Sequence, residues 1–225
     1  ALLLIPMLLA ACGPTTSTPT SNQPKFGGSI IDAVQEEANS VMPEKSTETF
    51  SDLVDAAIWA PILYSCYQNN AFQVCPGLAS EVPTQANGDI QISGGKETVT
   101  IKLRPNLAYS DGQPLTSADV KYTIGLFQDP TYAAQDGFPG GEITNVATPD
   151  TQTVVISLNT VDAAFLALAF VDNLTFTPLP QHHYQGMTAA NVAKDFQPAV
   201  TSGPFTISSR VSGDHLTVVR NPHYY

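Results

Sequence analysis

The most constraining feature of this sequence is a strand, a turn and a helix start that follow one another without interruption. Residues 97–104 alternate between apolar and polar side chains, the period-2 pattern of a half-buried strand. Residues 110–112 read Ser-Asp-Gly, which is turn chemistry. Thr116 and Asp119 then stand in the S/T-x-x-D/E relation of a capping box. The stretch therefore predicts a helix that is capped at Thr116 and ends at residues 129–130.

Further elements follow from periodicity and turn residues, and together they predict a mixed α/β or α+β layering without the strict alternation of a doubly wound sheet. They are a β-type run over 26–34, a helix over 51–64 capped by Ser51 and ended early by Pro61, a strand over 153–158, a short buried helix over 163–170, and a hairpin of strands 204–211 and 215–220.

Composition limits the class of partner. The 225 residues contain 9 Lys and Arg against 20 Asp and Glu, which gives a formal net charge of −11. Because binding to nucleic acid relies on cationic side chains that neutralise phosphates, this charge excludes that class of function. Hydrophobic residues make up 43% of the chain, enough for one large domain or two small ones.

The amino-terminal stretch predicts export. Residues 1–11 read ALLLIPMLLAA, which is too short to span a bilayer of about 30 Å but matches the apolar core of a signal peptide. Residues 9–12, Leu-Ala-Ala-Cys, resemble the lipobox of bacterial lipoproteins, which implies lipidation of Cys12. The Gly, Pro, Thr and Ser residues of 12–25 predict a tether. An ordinary signal peptide with an incidental Cys, or a fragment of a membrane helix, is the alternative interpretation.

The two remaining cysteines form an even pair in a chain predicted to be exported. Cys66 and Cys75 are nine residues apart, and Asn69 and Asn70 between them tolerate turn conformations. A disulfide is therefore expected, with two free buried thiols as the alternative. A metal site is disfavoured because the pair lacks nearby His partners and is not a C-x-x-C motif.

Several segments, in this order, resemble the family 5 extracellular solute-binding proteins, the oligopeptide, dipeptide and nickel receptors of bacterial ABC importers. The strongest stretch is TVTIKLRPNLAYSDGQPLTSADVKYTI at 98–124, and FGGSI at 26–30, PLPQHHY at 178–184, TSGPFTI at 201–207 and VVRNPHYY at 218–225 support it. Turn and capping chemistry explain most of the motif, so we interpret its residues as scaffold. They are Arg104, Asp111, Gly112, Pro114, Thr116 and Asp119.

The resemblance implies a periplasmic-binding-protein-like type II lobe that carries an inserted subdomain, with the second lobe expected to follow Tyr225. It also implies a division of the chain into consecutive segments. These are a partial signal peptide (1–11), a lipidated Cys and tether (12–25), the start of the first lobe (26–49), the inserted subdomain (50–179) and a return to the first lobe (180–225).

The resemblance also indicates where a ligand would lie. In the family the solute is enclosed between two lobes, and the carboxylate that grips a peptide's amino terminus belongs to the second. On the present segment, Glu36 and Glu37 stand where the family chain borders the cleft, and a solvated surface carboxylate is the alternative for each. Thr201, Ser202 and Gly203 are candidate lip residues, with ordinary turn structure as the alternative.

No catalytic or metal-binding pattern competes with this interpretation. The four histidines, His182, His183, His215 and His223, form no i, i+4 ligand pair and fall inside segments that match the family. The sequence contains no serine nucleophile elbow, phosphate loop or H-E-x-x-H motif. We therefore expect no catalytic residue, no metal and no cofactor.

The function that the sequence predicts is a monomeric, lipid-anchored receptor on the outer face of the cytoplasmic membrane. It would capture a peptide or related small solute and deliver it to ABC permease subunits, with the lipid anchor as its membrane contact. A surface lipoprotein hydrolase and a solute-sensing receptor without import are the alternatives. Which solute is bound, and whether the host has one membrane or two, stay open. The 225 residues alone are expected to bind solute weakly, because the resemblance assigns half of the clamp to the second lobe.

Overall fold

The structure is a computed structural model that describes residues 27–45, 48–132, 138–172 and 176–225. Contacts divide the chain into two units, Ala1–Ala33 and Val34–Tyr225. The second unit is a mixed α/β assembly, as predicted. In chain order its main elements are α1 (Thr49–Ile58), β1 (Leu63–Gln68), β2 (Ala71–Pro76), β3 (Ile90–Ser93), β4 (Lys96–Lys102), α2 (Ser117–Gln128), β5 (Ile143–Ala147), β6 (Thr153–Leu158), α3 (Phe165–Phe170), α4 (Ala189–Val192), β7 (Phe205–Val211) and β8 (His215–Arg220).

One antiparallel sheet of four strands in the order β3-β4-β6-β5 forms the centre of the larger core. The alternation predicted for β4 is confirmed, because Val99 and Ile101 are fully buried while their neighbours along the strand are not. Helix α2 covers the sheet with Val120 and Ile124, which share this core with the strand residues. The apolar face of the strand and the apolar face of the helix therefore pack together in one core.

A second core cluster joins residues from distant parts of the sequence. Val41, Met42 and Trp59 pack there with Leu179 and Tyr184. The Trp59 side chain is almost fully buried, and its indole N–H donates to the Val41 carbonyl at 2.8 Å. A buried indole needs such a partner because an unpaired donor is costly in an apolar environment.

Two separate hairpins, β1–β2 and β7–β8, complete the sheet structure. Hairpin β7–β8, which the turn residues 212–214 predicted, packs Ile207, Leu216 and Val218 against the second cluster. Hairpin β1–β2 is exposed over most of residues 64–74. Its base joins the body through a parallel bridge between Leu63 and Val171.

Several sequence predictions are confirmed and two are corrected. The capping box, the strand over 153–158, a short helix inside 163–170 and the β7–β8 hairpin are all present. Helix α1 begins at Thr49 rather than after a cap at Ser51 and ends at Ile58, so residues 63–64 belong to β1. The Ser51 hydroxyl instead donates to the Asn39 side chain at 3.0 Å.

The β-type run expected over 26–34 forms no strand in its described part, residues 27–34. A β-strand is defined by a hydrogen-bonded partner, and no strand of the described residues pairs with this segment. Ile30 and Ile31 are 97% and 94% exposed. The predicted strand is therefore wrong, because the apolar run carries no information about a pairing partner.

Candidate functional site

The predicted scaffold motif occupies the turn between β4 and α2. Gly112 adopts a φ of +82°, a conformation that strongly favours glycine, and its amide donates to the Tyr109 carbonyl at 2.9 Å. The Asp111 carboxylate accepts from the Gln113 amide at 3.0 Å. Tyr109 is fully buried, and burial raises the pKa of its phenol well above the usual value. Its hydroxyl donates to the Pro178 carbonyl at 3.2 Å.

The capping box also holds a distant connector. The Thr116 amide and hydroxyl both donate to one carboxylate oxygen of Asp119, at 2.8 and 3.0 Å. The other oxygen accepts from the Gln181 amide at 3.0 Å. One turn later, the Thr123 hydroxyl oxygen accepts from the Leu179 amide at 2.8 Å. The motif therefore has a structural role, since it fixes residues 178–184 beside the start of α2.

A hydrogen bond between two side chains adds to the same attachment. The His182 imidazole lies 2.8 Å from the Asp111 carboxylate, and both side chains are about one third exposed. Partial burial raises the pKa of Asp111, but hydrogen bonds from Gln113 and His182 outweigh that effect and leave the pKa below its ordinary value. Two shallow grooves of about 410 and 360 Å³ border this region. Ala118 and Gln181 line both of them.

The predicted lip residues lie in the interior of this structure. Thr201 and Ser202 are 1% and 2% exposed, and the Ser202 hydroxyl accepts from the Ala60 amide at 3.1 Å. A Cβ on Gly203 would stand 2.3 Å from the carbonyl carbon of Ile58, so glycine is required there. These residues join β7 to the end of α1. Their role beside a ligand stays a prediction.

The Thr201–Gly203 segment is also tied to the motif turn and to the end of β8. Ser110 and Thr201 exchange hydrogen bonds, since the Ser110 amide donates to the Thr201 carbonyl at 2.8 Å and the Thr201 amide donates to the Ser110 hydroxyl at 3.1 Å. The buried Asn221 side chain donates to the Gly203 carbonyl at 2.8 Å. Three segments far apart in sequence thus meet at one junction.

The two glutamates predicted near the cleft differ in their surroundings. Glu36 is exposed. The Glu37 carboxylate accepts from Arg210 at 3.0 Å, from the Ser212 hydroxyl at 2.9 Å and from the Gly213 amide at 3.0 Å. These hydrogen bonds lower the pKa of the Glu37 carboxyl, and the bond from the Gly213 amide has the largest effect. In this structure Glu37 holds the β7–β8 turn, and a ligand role for either glutamate stays a prediction.

Sequence reasoning missed the partners of Glu37. Arg210 is a single cation on β7, and its guanidinium also donates to the Ala38 carbonyl. A charged side chain in a strand that otherwise reads apolar and neutral is a signal for a paired residue, because unpaired charges are rarely buried. The pattern does not reveal which of the 20 acidic residues is the partner.

Arg104, the arginine of the motif, hydrogen-bonds the backbone at the base of the β1–β2 hairpin. Arg104 donates through Nε to the Gly77 carbonyl at 2.6 Å and through its terminal nitrogen to the Pro76 carbonyl at 3.2 Å. Its guanidinium also lies 5.3 Å from the centre of the Tyr225 ring. Pro114, the remaining motif residue, lies on the second groove and pairs with Ala108 across the motif turn. Each motif residue thus has a structural contact.

Cys66 and Cys75 form a disulfide, with their Cα atoms 5.9 Å apart. The strand register pairs Cys66 with Gln73 and Cys75 with Tyr64, so the bridge runs diagonally across one face of the hairpin. Cys12, the predicted lipidation site, lies outside the described residues, as do residues 1–25 generally.

Neither a metal centre nor a catalytic constellation emerges from the part of the chain that the structure describes. Within that part, no three His, Cys, Asp or Glu side chains come together as metal ligands. His182 and His215 each pair with a single aspartate, Asp111 and Asp214. The same described residues include no helix with the length and apolarity that a membrane span requires.

Comparison with known proteins identifies the family. The sequence model of the family described as "Bacterial extracellular solute-binding proteins, family 5 Middle" matches residues 73–225, about two thirds of the chain. This chain belongs to family 5 of the bacterial extracellular solute-binding proteins.

Individual relatives agree with this assignment. A putative ABC transporter peptide-binding protein from Brucella ovis is 30% identical over 138 residues, which are 60% of this chain and 25% of the relative. The probable D,D-dipeptide-binding periplasmic protein DdpA of Escherichia coli is 29% identical over 150 residues, 63% of this chain and 28% of that protein. The family 5 chain thus spans about a quarter of the length of these relatives.

The fold also matches that of a solved binding protein. The ABC transporter substrate-binding protein CtaP of Listeria monocytogenes superposes with a TM-score of 0.69 at 24% identity, covering 89% of this chain and 38% of CtaP. The predicted type II binding-protein fold is confirmed. The segment boundaries at residues 26, 50 and 180 stay a prediction.

Proposed function

We propose that this family 5 chain belongs to a substrate-binding lipoprotein of an ABC importer, which captures peptides or a related small solute outside the membrane and delivers them to permease subunits. The observation that carries the proposal is the family match over residues 73–225, which includes the motif turn and its capping box. The relatives named for peptide and D,D-dipeptide binding favour a peptide as the solute.

A free peptide carries a cationic amino terminus and an anionic carboxyl terminus, so complementary charged and polar groups at the two ends of a cleft would fix its orientation. Closure of two lobes would then exclude water and strengthen the polar contacts to the peptide ends. Since the chain spans about a quarter of its curated relatives, we assign it to the first lobe (26–49 and 180–225) and the inserted subdomain (50–179).

We also propose that residues 1–11 direct export and that Cys12 is lipidated, with residues 12–25 as the tether. Labelling of the chain with a radioactive fatty acid in bacterial cells tests this point. We expect label on the chain and its loss in the Cys12→Ser variant, while Cys66→Ser should keep the label. Label on the Cys12→Ser variant would contradict the assignment.

Calorimetric titration tests solute capture. The 225-residue chain, and any longer product of the same reading frame, are titrated with a library of di- to pentapeptides, with a nickel salt and a neutral oligosaccharide as controls. We expect peptide binding by the longer product and weak or no binding by the 225 residues. Absence of peptide binding by every product, or a preference for nickel or sugar, would overturn the proposed substrate class.

The two glutamates offer a matched pair for the same titration. Glu36 is exposed, whereas Glu37 holds the β7–β8 turn. If a carboxylate of this segment borders the peptide, Glu36→Gln should weaken peptide binding without a change in the unfolding midpoint. Equal affinity in the wild type and Glu36→Gln would remove Glu36 from the cleft.

A further inference from the structure

Beyond its disulfide, the β1–β2 hairpin presents one exposed apolar face. The register pairs Tyr67 with Phe72 and Ser65 with Val74, and alternation along the strands places these four residues on one face. Tyr67, Phe72 and Val74 are 61%, 83% and 38% exposed. The two aromatic rings meet edge to face, with their centres 5.1 Å apart. Large apolar side chains grouped on a projecting element mark an interaction surface.

The strands and tip that carry this face contain no charged side chain, and the Asp172 carboxylate contacts the face only at its base, through Ser65. No charged side chain stands between Asp55 and Glu81, although the chain as a whole has a net charge of −11. The tip residues Gln68, Asn69 and Asn70 are neutral amides. The hairpin can therefore approach a surface that would repel the acidic remainder of the molecule.

The conformation of the hairpin is also held in place before it contacts any partner. An isolated two-stranded hairpin is marginally stable in water. Here the Cys66–Cys75 disulfide closes it, and the Asp172 carboxylate at its base accepts from the Ser65 amide at 2.7 Å and from the Ser65 hydroxyl. A rigid projection loses little conformational entropy when it binds.

The size of the face distinguishes between occupants. Aromatic side chains bury on the order of 150–250 Å² each, so the exposed portions of Tyr67, Phe72 and Val74 amount to roughly 300–400 Å². A stable protein interface needs about 800 Å² from each partner. A second copy of the chain would also bring another charge of −11. A bilayer requires no complementary shape and accepts a small apolar tip.

We infer that the β1–β2 hairpin places Tyr67, Phe72 and Val74 into the headgroup–acyl boundary of a zwitterionic bilayer, a contact that rests on the proposed attachment at Cys12 to hold the chain beside the membrane. Aromatic residues with a polar edge favour this boundary. A strand of six residues is about 20 Å long, which exceeds the insertion depth of about 5–10 Å seen for interfacial elements. The tip can therefore insert while the body stays in water.

The charge distribution also sets the lipid preference. Because the tip is neutral and the body is acidic, anionic headgroups repel the molecule without offering the tip a compensating attraction. Contact should therefore be strongest on phosphatidylcholine and weaken as phosphatidylglycerol is added, and added salt should reduce the difference.

A tryptophan reporter tests the contact. The full chain carrying Phe72→Trp is attached to phosphatidylcholine vesicles whose acyl chains are brominated, and the quenching of its fluorescence is measured. The native Trp59 is 1% exposed and supplies a constant background. The matched control is Phe196→Trp, because Phe196 is an exposed aromatic residue (47%) outside the hairpin.

We expect roughly twofold quenching of Trp emission in Phe72→Trp and none beyond background in Phe196→Trp, since an insertion of about 5–10 Å brings only residue 72 near the bromines. Addition of Tyr67→Ser and Val74→Ser should abolish the quenching. Equal quenching in both reporters, or none in either, overturns the inference. So does concentration-dependent dimerisation that buries residue 72 in vesicle-free solution.

The outcome is separable from that of the proposed anchor, which mass spectrometry of Cys12 reports directly. A lipidated chain whose residue 72 is not quenched overturns the hairpin contact and leaves the anchor in place. A chain that lacks lipid but shows quenching at residue 72 overturns the anchor and leaves the hairpin contact in place.

Discussion

The two hairpins of this protein meet the same physical problem in different ways. Both β1–β2 and β7–β8 are antiparallel pairs with no further strand beside them among the described residues, and such pairs are marginal in isolation. The first is closed by a disulfide and keeps an exposed apolar face. The second packs apolar residues on a core cluster and has its turn held by the Glu37 carboxylate.

The difference shows that the means of stabilisation determines what the surface can do. The covalent bridge lies on one face of β1–β2 and leaves the opposite face available, because stability does not depend on burying that face. Hairpin β7–β8 uses one face for packing and therefore belongs to the body.

The largest effect is expected where each hairpin joins the body through a glycine. A Cβ on Gly203 would stand 2.3 Å from Ile58, and one on Gly77 would stand 2.3 Å from the Pro61 carbonyl oxygen. Overpacking against fixed backbone should cost about 3 kcal/mol or more in each alanine variant. Urea unfolding followed by circular dichroism measures the loss.

A third glycine supplies the control. Gly125 lies in α2 with no atom within 4 Å of its would-be Cβ. Gly125→Ala should be neutral or stabilise the protein by up to about 1 kcal/mol, because alanine favours the helix. If Gly203→Ala were as stable as Gly125→Ala, the described packing of β7 against α1 would be wrong.

Removal of the disulfide is the next most severe change. In the loop-entropy estimate, a bridge that closes about ten residues stabilises the closed form by roughly 2–3 kcal/mol. The Cys66→Ser, Cys75→Ser double variant should therefore lose amide exchange protection in β1–β2 while β4 and β6 keep theirs. Native-state hydrogen exchange measures both. Loss of protection throughout the four-stranded sheet would show that the hairpin is not peripheral.

The exposed ring pair should contribute less. Edge-to-face pairs contribute about 0.5–1.5 kcal/mol beyond area burial. A double-mutant cycle of Tyr67→Ser and Phe72→Ser should yield a coupling energy in that range, measured by urea unfolding. A coupling above about 2 kcal/mol would mean that the rings belong to a packed core, which would remove the proposed contrast.

The smallest effect is expected at Glu37 and depends on pH. Its hydrogen bonds lower the pKa of the folded-state carboxyl, so they stabilise the fold above the ordinary carboxyl range of about 4.3. That stability is lost as the pH falls through the folded-state pKa. The melting temperatures of wild type and Glu37→Gln should therefore converge below about pH 4.

A second variant sharpens the last test. Ser212→Ala removes one of the bonds to Glu37 and keeps the others. Its melting temperature at neutral pH should lie between those of the wild type and Glu37→Gln. A difference between wild type and Glu37→Gln that stays constant from pH 7 to pH 3 would contradict the role of the carboxylate.

Local chemistry explains which parts of the fold could be predicted. The β4 alternation, the Gly112 turn and the Thr116–Asp119 cap lie within a few residues of one another, so their geometry follows from sequence spacing. The β7–β8 turn is equally local. Ser51 was misassigned as a cap because its hydroxyl bonds a residue 12 positions away, Asn39, which no local rule reveals.

The candidate site was less predictable for the same reason. The sequence predicts Thr201 and Ser202 at the lip of a cleft, with an ordinary turn as the alternative, yet both are buried, and their burial depends on contacts with Ser110 and Ala60. Glu37 depends on Arg210, which is 173 positions away. Single-sequence patterns show which side chains are polar, but long-range contacts decide whether those side chains face water.

The junction at Gly203 has a consequence for the order in which the chain can fold. The amide of Gly203 bonds the carbonyl of Ile58, so the end of α1 lacks its final partner until residue 203 has been synthesised. At about 5–20 residues per second, that interval is roughly 7–30 s on the ribosome. During this time the newly made α1 and Trp59 remain without their final packing, so folding of this region is completed only after residue 203 has emerged.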